Sequence, residues 1–227
     1  MALIIFFFAA GGVTHFVRPL RINIPGSALI SSRSYVGVNQ FDTTDGGVTF
    51  DNVEPPGAPA DKAGLVGGDT ITKFDGQEIN SDDQMMDLLG KTPIGKTVEV
   101  AFIRDAETRT TLLTTISKTD FDQLSRAFRN RSEGRGRFGY DTDDAEQVEV
   151  PGTKMHGVRL SKISPSLPAD LAGIKGGDIV IEFDNVPIRT PEEFESRVRR
   201  AVPYSTIKVV VLRGGERLEI PVKMGRQ

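Results

Sequence analysis

Chemistry needs particular side chains at particular spacings, and this chain is short of them. Its 227 residues contain two histidines, His15 and His156, and no cysteine. Thiol catalysis, disulfides and cysteine-based zinc sites are therefore excluded. Serine-type acyl transfer needs a nucleophile, a base and an orienting acid within reach of one another, and neither histidine has such a setting. His15 closes an apolar stretch, and His156 immediately precedes the strand start Gly157-Val158, where an exposed edge is expected. No Gly-x-Ser-x-Gly elbow and no His-Glu-x-x-His pair occurs. The acidic stretch Asp141, Asp143, Asp144, Glu146 and Glu149 lacks the fixed spacing, glycine turn and closing glutamate of a calcium loop. It reads as an exposed loop running into Pro151-Gly152. The residues point to binding, not to an enzyme, with no metal and no cofactor. A net charge of −3 gives no reason to expect nucleic acid as partner.

The spacing that does carry information is repeated. Pro59-Ala60-Asp61-Lys62-Ala63-Gly64, then Gly67-Gly68-Asp69, then Phe74-Asp75-Gly76, return 109 residues later as Pro168-Ala169-Asp170-Leu171-Ala172-Gly173, Gly176-Gly177-Asp178 and Phe183-Asp184-Asn185. A fixed offset over such a length means two copies of one unit. In each copy the first segment predicts a short helical turn ended by glycine. Gly-Gly-Asp predicts a tight turn, and Asp-Gly or Asp-Asn closes a hairpin. Ser81, followed by Asp82 and Asp83, caps a helix whose apolar face is Met85, Leu88 and Leu89. Thr190-Pro191 caps the second copy's helix, with Phe194, Val198 and Ala201 as its stripe. Closing hairpins are expected near 98–116 and 207–222, and further strands near 38–41, 48–53 and 158–163. Between the copies, 118–136 predicts a linker helix with Phe121, Leu124 and Phe128 on one face. Its Arg126, Arg129 and Arg131 are either a solvated face or a basic patch for acidic lipid or a partner.

This combination of small helix, Gly-Gly-Asp, apolar strand and Asp-Gly resembles the PDZ domain, in the bacterial form found in HtrA-like proteases, here in tandem and without a protease domain. The resemblance covers most of residues 34–117 and 137–225. It implies an α+β fold: two partly open β-barrels or sandwiches, each with two short helices. It also implies a function, capture of protein C-termini or extended peptides by strand addition. The family's functional element is an apolar-Gly-apolar loop whose backbone N–H groups converge on a terminal carboxylate. The matching residues are Tyr35, Val36, Gly37 and Val38, and less closely Phe138, Gly139 and Tyr140. The side-chain pocket is expected from Met85 with Leu88 or Leu89, and from Phe194 with Val198. No histidine starts either helix, so the resemblance implies no preference for Ser or Thr near the ligand's end; the expected last residue is small or aliphatic. Two other roles stay open: a non-catalytic accessory of a separate protease or secretion machine, or a structural spacer with occluded grooves held rigid by Phe121 and Phe128.

Residues 1–17 carry no Asp, Glu, Lys or Arg, at the short limit for a spanning helix. They read as one N-terminal transmembrane anchor, as a signal segment, or as a truncated span. Residues 18–33, with Pro19, Pro25 and Gly26, read as a tether. Arg18, Arg21 and Arg33 after the span favour a cytoplasmic placement. The resemblance favours the opposite, extracytoplasmic (periplasmic) side, and that expectation is kept.

Overall fold

The computed structural model describes residues 33–227. The expected anchor, and all of the expected tether except Arg33, lie outside the described residues. Among the described residues no helix is long and apolar enough to cross a membrane.

The first copy runs β1 (Asp42–Thr44), β2 (Gly47–Thr49), α1 (Pro59–Lys62), β3 (Thr70–Phe74), β4 (Gln77–Glu78), α2 (Asp82–Lys91), β5 (Thr97–Arg104) and β6 (Glu107–Thr114). Helix α3 (Lys118–Arg129) leads to β7 (Gly136–Arg137), a 3-10 turn at Thr142–Asp144, β8 (Ala145–Glu149), β9 (His156–Leu160) and α4 (Pro168–Leu171). The second copy continues through β10 (Ile179–Phe183), β11 (Val186–Pro187), α5 (Pro191–Arg200), β12 (Thr206–Arg213), β13 (Glu216–Lys223) and β14 (Gly225–Arg226). The first sheet has the order β1-β2-β3-β5-β6, with β4 on β3. The second has the matching order β8-β9-β10-β12-β13, with β11 on β10. Pairing is antiparallel throughout, and neither sheet closes into a barrel. Each copy buries its own core. Phe50, Phe74, Met85 and Leu89 lie in the first. Phe138, Phe183 and Phe194 lie in the second.

The repeated signature has a physical explanation. At Gly67 a Cβ would fall 1.9 Å from the Asp51 carbonyl oxygen, and at Gly176 one would fall 2.7 Å from that of Ser161. The first glycine of each pair therefore permits a close backbone approach. Gly68 and Gly177 have φ of +89° and +94°, conformations that a side chain disfavours. The aspartate is a lock. Asp69 and Asp178 each accept a backbone N–H, from Val66 and Lys175, and each takes a two-pronged bond from an arginine ending β5 or β12, Arg104 or Arg213. Those arginines also donate to the carbonyls of Gly64 and Gly173, 2.8 Å in both copies. The caps form as expected: Ser81 accepts from the Gln84 N–H and Thr190 from that of Glu193.

Two expectations are corrected. Residues 145–149 are not loop but strand β8, paired residue for residue with β9 from Ala145 opposite Leu160 to Glu149 opposite His156. Only alternate side chains of an edge strand need be apolar, so the acidic residues ride its exposed side. Residues 38–41 carry no ladder beyond one bridge, Val38 to Val53, because the other side of this segment faces an open groove.

The copies are joined by α5 as well as by α3. Glu193, fully buried, accepts from the Val53 N–H (2.9 Å) and the Gly67 N–H (3.1 Å) of the first copy, and from Arg197. Arg197 and Arg200 both reach Asp61. Arg189 makes a two-pronged bond to Asp105, and Thr190 donates to the Asp51 carbonyl.

Candidate functional site

The loop at 35–38 is held from one side only. The carbonyls of Val36 and Gly37 accept from the N–H groups of Ala60 (2.7 Å) and Glu54 (3.1 Å). With its oxygens tied down, the loop turns its amides the other way. Among the described residues, the N–H groups of Val36, Gly37 and Val38 donate to no protein acceptor. Gly37 has φ of +89°, and a Cβ there would lie 2.3 Å from that of Ala58. Only glycine allows this turn beside α1. Three successive unpaired amides form a concave array that suits a carboxylate. Tyr35 is anchored by reciprocal backbone bonds to Ile116.

The amides open on a groove of about 520 Å³ between this segment and α2. Tyr35, Val36, Gly37, Val38 and Leu89 line it together with Arg33, Phe41, Asp82, Met86 and Phe121. Val38 and Gln40 make no backbone hydrogen bonds among the described residues, so the edge is free to pair with an added strand. Of the other expected pocket residues, Met85 is buried in the core. Leu88 borders a separate depression with Gln84 and Lys91. The helix face turned to the groove is Asp82, Met86 and Leu89. Met86 was missed because apolar periodicity selects the core-facing positions. It shares the i, i+3 row with Leu89 but stands off the buried stripe, and only the folded helix shows it exposed to the groove.

The second copy repeats the loop. Phe138 and Gly139 carbonyls accept from Ala169 (2.8 Å) and Ser164 (3.0 Å), and the Gly139 and Tyr140 amides are unpaired among the described residues. Phe138, Gly139, Tyr140 and Val198 line a depression of about 170 Å³ with Glu195 and Arg199. Glu195 and Val198 occupy the positions of Met86 and Leu89. Phe194, at the position of Met85, does not line it; its ring is packed against Phe138, Phe183 and Tyr140 at centroid distances of 5.3, 5.8 and 5.0 Å. Tyr140 stands where the first copy has Val38. Its hydroxyl is buried without a partner among the described residues, and burial pushes the phenol well above the ordinary tyrosine value. The chain then enters the 3-10 turn at Thr142–Asp144 instead of continuing as an open edge. No group of side chains that could hold a metal ion occurs among the described residues.

Comparison with known proteins identifies the family. A family model described as PDZ domain matches residues 34–115 and 128–224. The chain is 24% identical over 181 residues to a probable periplasmic serine endoprotease, DegP-like, from Halomonas elongata, across 80% of this chain and 38% of that protein. It is 30% identical over 159 residues to a probable periplasmic serine protease, do/HhoA-like, from Haemophilus influenzae, across 70% of this chain and 32% of that protein. The chain thus spans about a third of the length of these curated relatives. Among solved structures, the HtrA3 PDZ domain bound to a phage-derived ligand aligns at 20% identity with a TM-score of 0.33, across 40% of this chain and 89% of that one. That superposition is too loose to position residues.

Proposed function

The chain belongs to the PDZ domain family, and we propose that it is a peptide-binding adaptor whose first domain captures protein C-termini in the groove between residues 35–41 and α2. The observation that carries this reading is the set of three consecutive unpaired amides, Val36, Gly37 and Val38, at the head of that groove. A terminal carboxylate satisfies all three, and Met86 and Leu89 supply an apolar wall for the last side chain. The open edge at Val38 and Gln40 takes the ligand backbone as a strand. The second domain has the same loop but a smaller depression, bordered by Tyr140, and is joined to the first through α5. No catalysis is assigned to it.

The relatives' descriptions as periplasmic proteases support an extracytoplasmic placement. They also support a second reading, in which this chain is a non-catalytic accessory of a separate protease. The test of the primary reading is a random C-terminal peptide library screened against the full chain, with amidated versions of every hit. Saturable binding that disappears on amidation is the expected result. Binding indifferent to amidation would remove the carboxylate from the reading, and no binding by a folded sample would leave the spacer role.

A further inference from the structure

A second cavity opens between the two domains, next to the first groove. It holds about 370 Å³ and shares Val38, Asn39 and Phe121 with that groove, so the two adjoin across these residues. Its other walls come from both ends of the linker and from α5: Phe128, Arg129, Arg135 and Arg199. The charge is one-sided. Glu54 is the acidic residue of the lining, and it is engaged by Arg199 at 2.9 Å. Arg199 is engaged by Glu195 as well as by Glu54, whereas Arg129 and Arg135, both exposed, have no ion-pair partner among the described residues. Two phenylalanine faces beside free guanidinium groups form a site for a side chain that is anionic at its tip.

The position of the cavity says which side chain that is. Successive residues of a strand point to opposite faces. Val38 packs on the first core, and the next residue, Asn39, is exposed with its side-chain oxygen accepting from the Asp51 and Asn52 N–H groups; both residues border the cavity. A peptide strand added along 38–41 obeys the same alternation. Its last side chain turns to Met86 and Leu89, and the one before it turns outward over Asn39. We propose that the first groove and this interdomain cavity form one extended site selecting C-termini with an acidic penultimate residue, Asp or Glu. The inference rests on the C-terminal reading of the first groove, and it makes the linker and the second domain part of the ligand site, through Arg135 and Arg199.

The experiment selects a random decapeptide library with free C-termini against the full chain. Dissociation constants are then measured for enriched peptides and for analogues with the penultimate residue changed to Lys. Enrichment of Asp and Glu at that position is expected, with a roughly five- to tenfold preference over Lys, the range of one or two partly exposed charge pairs. The preference should collapse toward unity in the R129A/R135A double variant, and should shrink at high salt as exposed charges are screened. Both arginines are exposed, so the variant is expected to fold. Carboxylate-dependent binding with no penultimate preference, or a preference unchanged in the double variant, overturns this inference and leaves the groove reading standing. Absence of carboxylate-dependent binding removes both.

Discussion

Replacing Glu193 by alanine tests whether the two domains are one mechanical unit. The carboxylate is fully buried and collects three donors: the Val53 and Gly67 amides of the first domain and the Arg197 guanidinium of its own helix. Truncation leaves both amides without an acceptor and Arg197 with Asp61 alone, at 3.2 Å. An orphaned buried amide costs about 1–3 kcal/mol, and removing one partner of a buried ion pair costs about 3–5 kcal/mol. The two figures describe overlapping losses, so the expected destabilisation is about 3–5 kcal/mol. With an m-value of about 2 kcal/mol per molar urea, the unfolding midpoint should fall by about 1.5–2.5 M. Glu193→Gln retains an acceptor for the amides and should lose less. The direct readout is hydrogen exchange of the Val53 and Gly67 amides, protected in the native chain and deprotected in Glu193→Ala. A midpoint unchanged within about 0.25 M, together with undiminished protection of both amides, would refute the claim that this carboxylate joins the domains.

Other outcomes follow from the same contacts. Met86 is 39% exposed on the groove face of α2, so Met86→Lys should weaken C-terminal peptide binding roughly tenfold or more, with little change in the melting temperature; equal affinity by fluorescence anisotropy would remove Met86 from the site. Gly37→Val behaves differently. Its Cβ would meet the buried Ala58 at 2.3 Å with φ at +89°, so thermal melts should show a destabilisation of about 2–4 kcal/mol along with lost binding; a native-like melt would mean the loop is not held as described. Asp61 gives a pH signature. Burial alone would raise its carboxyl, but the Gly57 N–H and the Arg200 and Arg197 guanidiniums outweigh burial and hold it below the ordinary carboxylate range. A depressed folded-state value stabilises above the unfolded pKa, about 3.9, and the benefit is lost as pH falls through the folded value. Stability measured by denaturation should therefore drop below about pH 4, and Asp61→Asn should flatten that part of the profile; parallel profiles would refute the assignment.

Local sequence determined a great deal of this protein. The 109-residue offset announced two copies, and capping residues, turn glycines and the Asp of Gly-Gly-Asp each do in the structure what their chemistry requires. Those features act within a few residues of themselves, or within one repeated unit whose second copy corroborates the first. The two loops at 35–38 and 138–140 lie outside that fixed offset and were assigned by the resemblance to the PDZ domain, whose apolar-Gly-apolar pattern they match. Strand β8 was not visible, because its acidic residues look like loop until β9 pairs with it.

Tertiary structure alone decided which parts of the candidate site face one another. Helix α2 has two apolar rows, and only its packing on the first core turns Met85 inward and Met86 to the groove. The equivalent rotation of α5 buries Phe194 and puts Glu195 and Val198 on the depression. That the second depression is smaller than the first groove goes with Tyr140 standing where the first copy has Val38, and with the 3-10 turn that cuts the second edge short. The join between the domains depends on contacts 126 and 140 residues apart in sequence, from Glu193 to Gly67 and Val53. No periodicity or spacing reports such pairs. Where the first copy carries Gln84 and Leu88, the second carries Glu193 and Arg197. That difference reads as ordinary surface polarity until the folded chain brings two orphan amides and Asp61 to meet it.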